Sequence, residues 1–166
     1  MYTHEGRIPR DGTIGPSSEW GFISFIGFYA KVAPASMLID EGKRFTPDET
    51  LVCKMDFVPT GSLTKRVYKL IHGLKGFFAK IDQGMPEPEY LYGETNKKLA
   101  SVASKLGFEA TKLPVMKRDI EYRVVGRTQE VRNKFEEMLK KTDSRGRTII
   151  EILDSRIQAS KTSSRI

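Results

Sequence analysis

Two stretches of this chain carry side chains in patterns that could do chemistry. In Val58-Pro59-Thr60-Gly61-Ser62-Leu63-Thr64-Lys65 a glycine sits between two hydroxyls, with Lys65 and Arg66 just behind it. A turn of this kind at the start of a helix can offer backbone N–H groups and the positive end of the helix dipole to a phosphate. It reads equally as a plain strand-to-helix turn, and Pro59 removes one donor. In Tyr90-Leu91-Tyr92-Gly93-Glu94-Thr95-Asn96, a short aromatic run is followed by Glu94 and by Asn96, an N-cap type whose side-chain oxygen can accept a backbone N–H of the next helix. Asp56 is the carboxylate nearest the first stretch and Glu94 lies within the second; Tyr90 and Tyr92 add phenols. Each also has a structural use: Asp56 as an outward strand residue, Glu94 as a charge at a helix start, the tyrosines as packing. The remaining reactive residues are isolated. Cys53 lies in an alternating apolar run and reads as a small buried hydrophobe. His4 and His72 have no Ser or Cys partner in view, so a nucleophile triad is unsupported. One cysteine and two histidines provide no zinc spacing, and no metal is expected.

The elements that must position these residues follow from periodicity. Leu51 to Val58 alternates Lys54 and Asp56 with apolar neighbours and predicts a strand. Pro59 to Ser62 ends it. Leu63, Val67, Leu70, Ile71, Leu74, Phe77 and Phe78 then form the apolar stripe of a helix reaching Ala79 or Ile81. A strand at 90–92 is broken by Gly93, and Asn96 caps a helix whose Leu99, Val102, Ala103 and Leu106 share one face. Gly107 stops that helix, and Phe108 can fold back on its last turn. Two strands, 110–113 and 120–125, follow.

Before this core, residues 1–19 are polar and without periodicity, and read as an arm. Trp20 to Val32 reads as one strongly buried strand with Gly21 and Gly27 at a bulge or close approach. Met37-Leu38-Ile39 reads as a short second strand. After the core, Thr128 is placed to cap a helix from Gln129 to Lys141. Thr148 to Ile157 forms a last short helix whose apolar face wants a partner, and 158–166 reads as a tail. The domain reading is therefore an arm (1–19), an α/β core (20–125) and a basic helical extension with its tail (126–166).

The length of 166 residues suits one domain with a proper core. No run approaches the roughly 20 apolar residues of a membrane span, and no signal-peptide pattern opens the chain, so no membrane is expected. A single cysteine points to a reducing compartment, the cytoplasm. The net charge of +7 is uneven: residues 1–110 carry 14 basic against 13 acidic side chains, residues 111–166 carry 14 against 8. The basic third favours a polyanion: nucleic acid, the phosphates of a cofactor, or an acidic protein face.

Gly93-Glu94-Thr95-Asn96, followed by a small-residue helix that ends Lys105-Leu106-Gly107-Phe108, resembles the C-terminal core of the GNAT superfamily of N-acetyltransferases. The order strand, glycine turn, helix, strand, capped helix, two strands is also that family's order. The resemblance implies an α/β fold with a GNAT-like mixed central sheet flanked by helices, extended at both ends by arms. It implies acetyl-CoA or another acyl-CoA as cofactor, lying along Thr60, Gly61, Ser62, Lys65 and Asn96. Its thioester arm would enter a wedge where two strands part just ahead of Asn96. Glu94, Tyr92 and Asp56 are then the candidates for acid and base work on an acceptor amine. Strands paired along their whole length, or a wedge plugged by side chains, would remove this reading.

Three departures stand against the family pattern. The Gln/Arg-x-x-Gly-x-Gly/Ala phosphate turn keeps one glycine here, and Ala103 stands where active members often carry the tyrosine that protonates the departing thiolate. The pair of helices that forms the acceptor side in the family has no counterpart ahead of Trp20. Shortened members of the fold occur among bacteriophage proteins, virion components included. The alternative expectation is therefore a non-catalytic viral structural or assembly protein, cytoplasmic or in the virion. Its C-terminal helices would join a partner protein or a second copy, and its basic third would hold nucleic acid.

Overall fold

The structure is a computed structural model describing residues 22–57, 61–117 and 120–163. The expected N-terminal arm, Trp20 and Thr60 lie outside the described residues. Six strands form one mixed sheet in the order β1-β2-β3-β4-β6-β5, flanked by helices. Every neighbouring pair is antiparallel except β3–β4. The parallel pair arises because a helix connects the two strands and returns the chain in the same direction.

The aromatic segment is a hairpin rather than one strand. β1 (Phe22–Phe25) turns at Ile26-Gly27 into β2 (Phe28–Pro34), with Phe25 opposite Phe28. Folding back at the turn lets Ile23, Phe25, Phe28, Ala30 and Val32 all reach the same core. The expected strand at Met37–Ile39 is instead a short helix, α1 (Ala35–Leu38), followed by a 3-10 turn at Glu41–Lys43. Its buried Ala35 and the buried Ile39 at its C-cap lie one helical turn apart, and the Ala35 and Ser36 N–H groups donate to the Thr50 and Asp48 carbonyls. The chain therefore crosses over the sheet here instead of joining it.

β3 (Leu51–Phe57) and α2 (Leu63–Asp82) follow the expected pattern. β4 (Tyr90–Thr95) runs three residues beyond its expected end and passes straight through Gly93. That glycine is there for room: a Cβ on it would lie 2.6 Å from the Met55 carbonyl oxygen and 2.8 Å from the Phe57 ring. In α3 (Lys97–Lys105), the Asn96 Oδ1 accepts the Leu99 N–H at 2.8 Å. At its other end Gly107 adopts φ +91, its N–H reaches Ser104 and the Phe108 N–H reaches Ala103, the paired bonds of a Schellman stop. β5 (Glu109–Lys117) and β6 (Ile120–Arg127) pair antiparallel.

α4 (Thr128–Lys140) starts without the expected threonine cap. Arg127 takes the cap position, and the Thr128 hydroxyl is buried without a partner. α5 (Ile149–Ser163) is longer than expected, covering most of the segment read as a tail. Thr148 and Glu151 exchange hydrogen bonds at its start, in the manner of a capping box.

Helices α2, α3 and α4 cover one face of the sheet, and α5 packs on α2 and α4. Leu74, Phe77, Leu91, Leu106, Val131, Phe135 and Leu153 pack there in one cluster. Fully burying one such side chain stabilises the fold by roughly 1.5–3 kcal/mol. The other face holds a smaller cluster of Ala35, Ile39, Val52 and Tyr92, roofed by α1 and the loop after it. The difference between the two faces places the candidate site.

Candidate functional site

Parity along β3 and β4 decides what faces the thin side of the sheet. Cys53, Met55 and Leu91 point into the main core, so Lys54, Asp56, Tyr92 and Glu94 project from the opposite face. β3 and β4 pair from Val52↔Tyr90 to Met55↔Gly93, and the register ends there. Asp56–Phe57 and Glu94–Thr95 have no ladder between them. Beyond that point lies a cleft of about 200 Å³, lined by Lys54, Asp56, Tyr92, Gly93, Glu94 and Arg123 under a roof of Leu38, Ile39, Asp40, Lys43 and Phe45. Phe57, whose ring lies against Gly93, and Ile120 complete its wall. The strands therefore part; the Phe57 ring lies against the opening on the helix side, and on the other side it stays open as the cleft. The cleft lies beyond the carboxyl ends of the parallel pair, where α/β sheets commonly hold ligands.

The cleft brings together three of the residues singled out from the sequence. Although more than a third of Asp56 remains exposed, the surrounding protein displaces enough water to push its carboxyl pKa up. Lys54 opposes that rise and Glu94 adds to it. Glu94 pairs with Lys43 Nζ at 3.2 Å. Tyr92 is buried and donates its hydroxyl proton to the Leu38 carbonyl at 2.6 Å; burial and neighbouring acids push its pKa up. That proton holds the roof to the sheet, and Tyr92 is better placed to position than to donate.

The other candidates lie apart. Gly61, Ser62, Lys65 and Asn96 do not line the cleft. The Ser62 hydroxyl accepts the Lys65 N–H, leaving the Leu63 and Thr64 N–H groups free of intrahelical bonds at the start of α2. Asn96 commits its oxygen to the cap. Cys53 is fully buried, and burial pushes its thiol pKa up, as suits a core residue rather than a nucleophile.

Arg123 and Lys43 are the members that sequence reading missed. The Arg123 Nη1 donates to the Lys43 carbonyl at 2.7 Å and its guanidinium sits 5.9 Å from the Phe45 ring centre. Lys43 thus ties the roof to β6 through its carbonyl and to β4 through its ammonium. Strand parity marks Arg123 as sharing a face with Val125, but no local pattern shows that the 43–45 loop lies above it.

Among the described residues, no helix is long and apolar enough to cross a membrane, and no group of His, Cys, Asp and Glu is placed to hold a metal ion. No family model and no curated protein matches the chain. A solved structure of an uncharacterized protein from Bacillus halodurans is similar to it at 15% identity and a TM-score of 0.45, over 67% of this chain and 57% of that one.

Proposed function

We propose that this protein is an acyl-CoA-dependent N-acyltransferase whose chemistry takes place in the cleft beyond Met55 and Gly93. One observation carries the reading: the parallel pair β3–β4 opens at its carboxyl end onto a raised-pKa carboxyl. The residues present fit an acyl-CoA in kind. The start of α2 has two N–H groups without intrahelical bonds that could face a phosphate, with Lys65 exposed beside them, and the strand ends beyond the β3–β4 ladder offer main-chain donors and acceptors to an amide-bearing arm. When bound, an acyl-CoA supplies the activated acyl carbon. Asp56 takes the proton from the incoming ammonium so that the amine can attack, Glu94 tunes Asp56, and Tyr92 with Lys43 holds the roof. α3 carries no tyrosine, so no side chain of that helix would protonate a departing thiolate, and the proton would have to come from solvent or from the acceptor's own nitrogen.

Thermal melts with acetyl-CoA test this. Saturation should add kilocalories of apparent stability, and Lys65→Ala, at the proposed phosphate site, should reduce the shift. No shift at millimolar acetyl-CoA would remove the proposal.

A second reading, a non-catalytic assembly protein binding nucleic acid or a partner chain, draws on the exposed Lys134, Lys140, Lys141 and Arg145 of the basic third. Salt-sensitive DNA binding lost on neutralising these four would favour it.

A further inference from the structure

We infer that the cleft is built for a small amino-carboxylate, with the ligand's carboxylate on Arg123 and its ammonium facing Asp56 on the other side. The inference rests on the acyl-transfer reading only for the ligand's role as acceptor; the binding site stands on its own geometry.

Arg123 is fixed but unfinished. One of its nitrogens is held by the Lys43 carbonyl and its face lies by Phe45, while its Nε is buried with no hydrogen-bond partner among the described residues. A buried donor of this kind ordinarily has an acceptor, and the planar guanidinium suits a carboxylate. Glu94 is the obvious acid to supply it, being directly opposite Arg123 in the β4–β6 ladder, but its carboxylate is engaged with Lys43 Nζ. Arg123 lines the cleft, so a carboxylate entering there meets a guanidinium that no carboxylate among the described residues pairs with.

Charge selects the rest of the ligand. Asp40, Asp56 and Glu94 line the same small space as Lys43, Lys54 and Arg123. A dianion would meet three carboxylates and a simple amine would meet three cations; a zwitterion satisfies both sets. β3 and β6 are separated by β4 alone and β3 has parted from β4 by Asp56, so the Asp56 and Arg123 backbones lie at least two strand spacings, about 10 Å, apart. Side chains reaching inward leave a span of a few bonds between ammonium and carboxylate. The volume, about 200 Å³, is below the roughly 300–1,000 Å³ of sites for drug-sized ligands and suits a molecule of amino-acid size.

The test is a titration of the ¹⁵N-labelled full chain, without CoA, followed at the Arg123 Nε–H resonance. The probes are glycine, β-alanine and γ-aminobutyrate, with propylamine and propionate as single-charge controls. At least one zwitterion should shift that resonance and saturate about tenfold more tightly than either control. Arg123→Gln should weaken its binding at least about tenfold, and Arg123→Lys should restore part of it. The inference is overturned if no zwitterion binds, if propylamine binds as well as the best zwitterion, or if Arg123→Gln changes nothing. Should either variant fail to fold, the wild-type resonance and the two controls still decide. Zwitterion binding without any acetyl-CoA shift would remove the acyl-transfer reading and leave this site. Acetyl-CoA binding with no zwitterion would do the reverse.

Discussion

At the scale of single residues, Asp56 carries the sharpest expectations. As a base it must be ionised, so the acid limb of kcat/KM should lie at higher pH than for an ordinary carboxylate. Burial is the main cause and Glu94 a further one, so Glu94→Gln should move that limb to lower pH. Asp56→Asn should lower kcat about 10²–10⁴-fold. The same substitution should stabilise the fold. A carboxyl with a raised folded pKa binds its proton more tightly folded than unfolded, so stability falls as pH rises through that interval. Asp56→Asn should therefore gain less than about 1 kcal/mol at pH 7, since water still reaches the group. The gain should vanish in melts below the unfolded pKa, about 4. Tyr92 leads to a different outcome. Tyr92→Phe leaves the part-buried Leu38 carbonyl without its donor and should cost about 0.5–1.5 kcal/mol in urea denaturation, with kcat little changed. A hundredfold fall in kcat with stability intact would instead make Tyr92 the acid.

At the scale of elements, the contrast between Asn96 and Gly93 separates a local role from a tertiary one. Asn96→Ala removes one cap bond and should cost about 1 kcal/mol, measurable by denaturant titration. Gly93→Ala drives a methyl into the Met55 carbonyl, an atom that cannot move aside without parting β3 from β4. It should cost more, about 1–3 kcal/mol, and alter acetyl-CoA binding as well. The sequence shows the cap and the glycine stop because both depend on a few consecutive residues. It misreads Gly93 as a break because the reason for that glycine sits on another strand. The same holds for the hairpin at Ile26-Gly27, whose two halves are each as apolar as one continuous strand. It holds for α1 too, where bonds to Thr50 and Asp48 settle the conformation. Asp56, Tyr92 and Glu94 could be singled out from local pattern, whereas Arg123 and Lys43 meet only through the roof.

At the scale of the whole molecule, the C-terminal helices belong to the same packed layer as α2. Phe135 is 2% and Leu153 4% exposed in the main core, and Arg132 reaches Asp82 of α2 with two bonds of 2.9 and 2.6 Å. Leu153→Ala should cost about 2–5 kcal/mol, read by urea denaturation. A wild-type midpoint would mean that α5 stands apart from the core. Deleting 143–166 would uncover α2 and should impair folding itself, so partner binding is better tested by charge changes on exposed lysines. By itself the sequence determined the α/β class, the existence of α2 to α5 and the central strands, since each rests on a hydrophobic period that neighbours in the chain can satisfy. Tertiary structure alone decided that α5 closes on α2, that β3 and β4 separate past Met55, and that Arg123, Lys43 and Asp56 share one cleft. Those outcomes depend on side chains tens of residues apart competing for the same space and the same hydrogen bonds, which no local pattern records.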